Sequence, residues 1–243
     1  LGGFLAAKNY ELLFWVDGVT NLAAAALLFL LIPATHTQPE AVKHTPGIEQ
    51  PTGSAYTDKP FIWFSVFIAL FAICFFQSFS TLPVFYKEEW QLNEVTIGYI
   101  MALNGLVITF VEMPFVKYAE GRMPALYFVA IGTVVVAFSY MVLNLLPGSV
   151  MAALVSIMLF TVGEIIAMPF MNTYWTSRSN AANRGQYAAL YTAAFSIAHV
   201  TGPYTGSQLA HHQGFAVLWW ATGALCLLTA LGFRFVHHKT DRP

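Results

Sequence analysis

Two acidic side chains, Glu112 and Glu164, interrupt stretches of sequence that are otherwise apolar. An ionised carboxylate at the centre of a bilayer costs about 2.5–3.5 kcal/mol on insertion scales, so an acid in such a stretch is a candidate for function. A desolvated carboxyl group can take up a proton on one side of a membrane and release it on the other. A packing hydrogen bond, or contact with the nearby membrane interface for Glu112, is the alternative. We predict that both acids couple protons to another process.

Neutral polar and aromatic residues in similar stretches are candidates for lining a cavity. On predicted helices, Asn104 shares a face with Glu112, and Asn172 shares a face with Glu164, each at a spacing of eight residues. Hydrogen bonding between helices, aromatic packing or a place at the membrane interface is the alternative for every candidate. The full set of cavity candidates is Asp17, Gln77, Asn104, Asn172, Tyr191 and His199.

The composition indicates the solvent in which these residues must work. The 11 basic and 12 acidic residues make up only 9% of the chain, whereas 57% is hydrophobic. Soluble domains carry about 25% charged residues, so a soluble enzyme is excluded and lipid is the expected surrounding. A net charge of −1 without a basic run argues against nucleic acid as a partner. Cys74 and Cys226 lie in apolar runs, and we expect neither a disulfide, a metal site nor a cofactor.

Seven apolar stretches are long enough to cross a bilayer. A helix satisfies its own backbone hydrogen bonds in lipid, and the stretches lack the alternation of a β-barrel strand. The sequence therefore predicts an all-α, polytopic membrane protein. Its predicted spans are residues 12–32, 61–84, 96–116, 124–146, 150–173, 185–209 and 214–236.

Basic residues in the connecting segments predict the orientation of these spans. Nine of the 11 fall on one side and two on the other, so the first side, with the C-terminus, should be cytoplasmic. Residues 33–60 hold five prolines and no apolar period, which is typical of a linker. We therefore divide the chain into residues 1–32, a cytoplasmic linker at 33–60, and a six-helix bundle at 61–243.

A short internal similarity suggests a repeat. The phrase at residues 1–6 resembles the phrase at residues 202–210, with Leu5-Ala6 falling on Leu209-Ala210. Two halves of about 200 residues would follow from this spacing. We therefore expect further helices before Leu1 that complete an N-terminal bundle.

Several motifs together resemble the Major Facilitator Superfamily, and most closely its bacterial drug:proton antiporters. The resemblance covers the whole chain and rests on Gly163-Glu164 followed by Pro169, Arg184-Gly185-Gln186-Tyr187, and Gly202-Pro203. It implies the end of helix five, helix six and the six-helix C-terminal bundle of a twelve-helix transporter in the bacterial inner membrane. Its implied partners are lipid, a small-molecule substrate and protons. Only Lys117, Glu120 and Arg122 remain of a family gating motif in the loop after helix eight.

Other functions remain open at this point. Efflux coupled to protons is the first expectation, and uptake of a small metabolite or peptide is the alternative. Peptide transporters of the family pair a similar Gly-Glu with a helix-seven lysine, which residues 61–84 lack. A seven-helix receptor would need motifs that are absent here, such as an Asp-Arg-Tyr-like phrase after the third span. An intramembrane enzyme would need a nucleophile or metal motif, which the sequence also lacks.

Overall fold

Each α-helix of the structure coincides with one of the predicted apolar stretches. The computed structural model describes residues 10–31 and 53–240, and these residues contain seven α-helices and no strand. This confirms the prediction of an all-α, polytopic fold. The helices are α1 (Tyr10–Leu31), α2 (Lys59–Glu88), α3 (Glu94–Ala119), α4 (Ala125–Leu145), α5 (Val150–Arg178), α6 (Arg184–Gln213) and α7 (Phe215–Thr240).

The chain divides into two units, Leu1–Thr52 and Gly53–Pro243. The first unit contributes α1 alone to the described residues, and the second contributes α2 to α7. Residues 33–52 of the predicted linker lie outside the described residues. Its last part, from residue 53, belongs to the second unit, where Ala55 is fully buried.

Polar caps set where several helices begin. The Asp58 carboxylate accepts the backbone N–H of Phe61 at the start of α2, at 3.2 Å. Asn93 at α3 and Ser149 at α5 accept backbone N–H groups in the same way, at 2.8 and 3.1 Å. Such caps satisfy the N–H groups that the first helical turn leaves free. Helices α2 and α3 therefore begin two residues before the predicted apolar stretches, directly after their polar caps, whereas α5 begins at the predicted residue 150.

The second unit is built around α4, which packs against α5 on one side and α7 on the other, while α2 packs against α6 and α7. A close approach of two backbones joins α4 to α5 at two glycines. A Cβ placed on Gly132 would lie 2.5 Å from the backbone oxygen of Gly163, and one on Gly163 would lie 2.7 Å from the backbone oxygen of Gly132. Small residues of this kind allow the backbones of membrane helices to approach each other.

Six of the described helices, α1 to α5 and α7, are long and apolar enough to cross a membrane. Helix α6 has 30 residues, which is long enough, but it is less apolar than the others. Thr192, Ser196, His199 and Ser207 are exposed on this helix, but so are the apolar side chains of Ile197 and Val200. The stretch predicted at 185–209 is therefore a long helix whose surface mixes polar and apolar residues.

Candidate functional site

Glu164 lies near the midpoint of α5 and is 9% exposed. Its Oε2 atom accepts a hydrogen bond of 3.0 Å from Nδ2 of Asn104 on α3. The same amide nitrogen donates to the Thr161 hydroxyl oxygen at 3.0 Å, and that hydroxyl donates in turn to the Ile157 carbonyl at 2.7 Å. We call Asn104, Thr161 and Glu164 the Glu164 cluster. It is a buried polar connection between two apolar helices.

The Glu164 cluster can accept either charge state of the carboxyl group. An amide N–H donates to an oxygen of an ionised carboxylate and, more weakly, to the carbonyl oxygen of a protonated acid. Among the described residues, no lysine or arginine forms a salt bridge with Glu164. A change of protonation therefore changes the net charge of the cluster without breaking the hydrogen bond that holds α3 against α5.

Glu112 lies on α3, eight residues beyond Asn104, and is half-buried. It is close enough to Glu164 for the two carboxyl groups to interact electrostatically. The sequence placed Glu164 on a helix face with Asn172, and Glu112 on a face with Asn104; the structure joins Asn104 to Glu164 across the two helices instead.

Gln77 lies on α2, at the contact with α6, and is 2% exposed. Its amide nitrogen donates to the Gly202 carbonyl at 2.7 Å, and its amide oxygen accepts from the Thr81 hydroxyl at 2.7 Å. A Cβ at Gly206 would overlap the Gln77 side chain, so this glycine makes the room that the amide occupies. Gln77 is thus engaged in bonding α2 to α6.

Asn172 and Tyr191 lie on α5 and α6 and are linked through one tryptophan. The Asn172 side-chain oxygen accepts a hydrogen bond of 3.1 Å from the Trp175 indole nitrogen. The Trp175 ring stacks on Tyr191 with 5.9 Å between centroids. His199 is exposed on α6 and meets Phe76 edge to face at 4.7 Å. These three candidates therefore flank the α5–α6 and α2–α6 contacts, and within residues 53–240 no hydrogen bond joins them to the Glu164 cluster.

The remaining predicted residues lie elsewhere. Asp17 belongs to α1 in the first unit, where its side chain is exposed and accepts from Asn21 one turn later, at 3.2 Å. Lys117, Glu120 and Arg122 are exposed around the end of α3. The Arg122 guanidinium lies 3.7 Å from the centre of the Tyr118 ring. The three loop residues are therefore accessible at the end of α3 that is predicted to be cytoplasmic.

Sequence reasoning missed a second polar cluster, formed by Asp58, Arg178 and Tyr187. Arg178 donates to both carboxylate oxygens of Asp58 at 2.8 to 3.0 Å, and the Tyr187 hydroxyl donates to the same carboxylate at 2.8 Å. This Asp58 cluster ties together the start of α2, the end of α5 and the start of α6. The position of Asp58 just before Pro60 signals a helix cap, but no sequence spacing signals a partner 120 residues away.

Replacing Arg178 with methionine should lower the stability of the second unit by about 1–3 kcal/mol. The substitution leaves the Asp58 carboxylate, which is only 14% exposed, without its cationic partner. Because Arg178 is 24% exposed, solvent already weakens the ion pair, and the expected loss of stability is correspondingly smaller. The measurement is the thermal unfolding midpoint in detergent. Lys87→Met is the matched control, because the Lys87–Glu94 pair has the same 2.8 Å separation but is far more exposed. Equal effects of the two substitutions would contradict a structural role for the Asp58 cluster.

Comparison with known proteins adds a family assignment to this geometry. The family model of the Major Facilitator Superfamily matches residues 1–203. The multidrug resistance protein MdtH of Citrobacter koseri is 22% identical over 249 aligned positions. Proteins with the same name from Salmonella newport and Salmonella heidelberg are each 21% identical. Each alignment covers the whole of this chain and 60% of the relative, so the chain spans about 60% of the length of the curated relatives it matches.

Proposed function

The chain belongs to the Major Facilitator Superfamily, and on that premise we propose that it forms part of a transporter that exports small lipophilic molecules in exchange for protons. Family membership and the apolar helices make it a multi-pass membrane protein of a transporter family rather than a typical enzyme. The relatives named above are called multidrug resistance proteins, which supports efflux as the direction. Uptake of a small metabolite by proton symport is the second candidate.

The observation that carries the proposal is the buried Glu164 carboxyl group and its neutral partners. A glutamate that stays ionised in a membrane bundle is expected to pair with a cation, since an unpaired buried charge is costly. In the described residues Glu164 instead accepts a hydrogen bond from the Asn104 amide. Taking up a proton removes the charge and keeps this bond, so protonation can alternate with deprotonation during a transport cycle. We assign Glu164 as the principal proton-carrying group and Glu112 as its partner.

The exposed faces of α3 and α6 support a second bundle opposite this one. On α3, Leu106, Phe110 and Met113 are 57%, 73% and 74% exposed. On α6, His199 and the Thr192 and Ser196 hydroxyls are exposed together with Ile197 and Val200. We propose that a bundle supplied by the part of the transporter outside this chain covers both faces, with the substrate between the bundles. The 40% of the relatives' length that lies outside the alignment is long enough to supply such a bundle.

Within that arrangement, His199, Tyr191 and Asn172 are placed to line the substrate cavity from α5 and α6. Gln77 would act by holding α2 to α6, because its amide already bonds Gly202 and Thr81. The basic residues favour a cytoplasmic C-terminus, with Lys117, Glu120 and Arg122 forming a gating loop at that side of a bacterial inner membrane.

A transport assay tests the direction and the coupling together. The whole transporter, expressed from the gene that encodes this chain, is reconstituted in liposomes with an acidic lumen and an alkaline exterior. Exchange predicts that ethidium accumulates in the lumen as protons leave, and that a protonophore abolishes the accumulation. Accumulation only when the exterior is acidic would favour symport, and movement that is unaffected by either gradient would contradict proton coupling.

A further inference from the structure

A groove of about 730 Å³ runs along the surface of the second unit between α4 and α7. Its floor contains two small residues, Ala130 and Ala230, which are 5% and 4% exposed. Larger side chains rise beside them, and Ile131, Phe138 and Leu231 are 43%, 52% and 66% exposed. The groove therefore exists because alanines on both helices leave a channel between longer apolar side chains.

The length of the groove matches one leaflet of a bilayer. Its lining on α7 extends from Leu227 to His238, which corresponds to roughly 16 Å of helix at 1.5 Å per residue. The hydrocarbon core of a bilayer is about 30 Å thick, so one leaflet contributes about 15 Å. An acyl chain lying along α7 would thus fit between the middle of the membrane and its surface.

The groove is polar at one end only. Eight of its ten lining residues are apolar, and the other two are Arg234 and His238 at the end where α7 finishes. None of the ten is acidic. The Arg234 guanidinium lies 4.5 Å from the centre of the Tyr127 ring, and no salt bridge engages it within residues 53–240. A cation held on an aromatic ring beside an apolar channel can bind a phosphate through its N–H groups.

We propose that the α4–α7 groove binds an anionic phospholipid. One acyl chain lies over Ala130 and Ala230, and the phosphate group contacts Arg234 and His238. Basic pockets between membrane helices are suited to acidic headgroups, and each arginine near the surface favours such a lipid. The site lies on α4 and α7, whereas the Glu164 cluster lies on α3 and α5, so the proposal is independent of the mechanism of transport.

Native mass spectrometry of the whole transporter tests this site. The protein is stripped of lipid in detergent and titrated with phosphatidylglycerol or with phosphatidylcholine of the same acyl chains. We expect one phosphatidylglycerol to bind about fivefold more tightly than phosphatidylcholine, and Arg234→Gln to remove this preference. Lys239→Gln is the matched control, because Lys239 has the same charge near the same helix end but does not line the groove. It should leave the preference intact.

A second variant tests the acyl-chain part of the site. Ala230→Leu fills the floor and should weaken binding of both lipids, while the unfolding midpoint reports whether the variant is folded. If it is not folded, Arg234→Gln still decides the proposal, since that side chain is exposed. Equal binding of the two lipids by the unaltered protein would overturn the proposal. Equal losses of the lipid preference in Arg234→Gln and Lys239→Gln would also overturn it, as would displacement of the lipid by glycerol phosphate. A change of oligomer mass in Ala230→Leu without loss of lipid would overturn it too.

Discussion

Replacing Glu164 with glutamine is expected to reduce gradient-driven ethidium transport to the rate of liposomes without protein, while the transporter stays folded. Glutamine cannot exchange a proton, so the proposed coupling is lost. Its side-chain oxygen can still accept the hydrogen bond that Asn104 donates to Oε2 of Glu164. The contact between α3 and α5 is therefore retained, and the thermal unfolding midpoint should change little. The assay is ethidium accumulation in proteoliposomes with an acidic lumen.

Glu89→Gln provides the matched control for this prediction, because Glu89 is an exposed glutamate that follows the end of α2. It should transport at the unaltered rate. The transport rate of Glu112→Gln should lie between the rates of Glu164→Gln and Glu89→Gln, since Glu112 is half-buried and interacts with Glu164. Unchanged proton-driven flux in Glu164→Gln would remove Glu164 from the mechanism. A loss of flux accompanied by unfolding would show a structural role instead.

Replacing Gly132 with alanine should destabilise the second unit by about 2 kcal/mol or more, which corresponds to a fall of roughly 5 °C in the unfolding midpoint. The added Cβ would lie 2.5 Å from the backbone oxygen of Gly163 and 2.7 Å from the backbone nitrogen of Ala167. Backbone atoms cannot rotate away as side chains can, so α4 and α5 must separate. The measurement is thermal unfolding in one detergent at one scan rate.

The same substitution at Gly105 separates this effect from helix propensity. Gly105 lies in α3. Apart from its two chain neighbours and the nearby backbone of α3, no atom of the described residues lies within 4 Å of a Cβ placed there. Alanine is favoured over glycine inside a helix by about 0.5–1 kcal/mol, so Gly105→Ala should be neutral or stabilising. If Gly132→Ala proved as stable as Gly105→Ala, the close approach of α4 and α5 would not be essential to the bundle.

The position of each helix was predictable from the sequence because it depends on local composition. Apolar stretches long enough to cross a bilayer recur seven times, and lipid leaves few alternatives to a helix for such segments. The motifs around Gly163-Glu164 and Arg184-Gly185 also indicated the family that the comparison confirms. Burial of Glu164 followed from the same reasoning, since it lies in the middle of an apolar stretch. Which residues would surround it did not follow.

Partners across helices required the tertiary structure. Asn104 and Glu164 are 60 positions apart, and Asp58 and Arg178 are 120 apart. Helical periodicity indicates which residues share a face of one helix, but not which faces of two helices meet. That choice depends on where backbones can approach, as at Gly132 and Gly163, and each approach involves several helices at once. The sequence by itself thus determined the helices, the family and the burial of Glu164, whereas packing decided the pairing of Glu164 with Asn104, the Asp58 cluster and the α4–α7 groove.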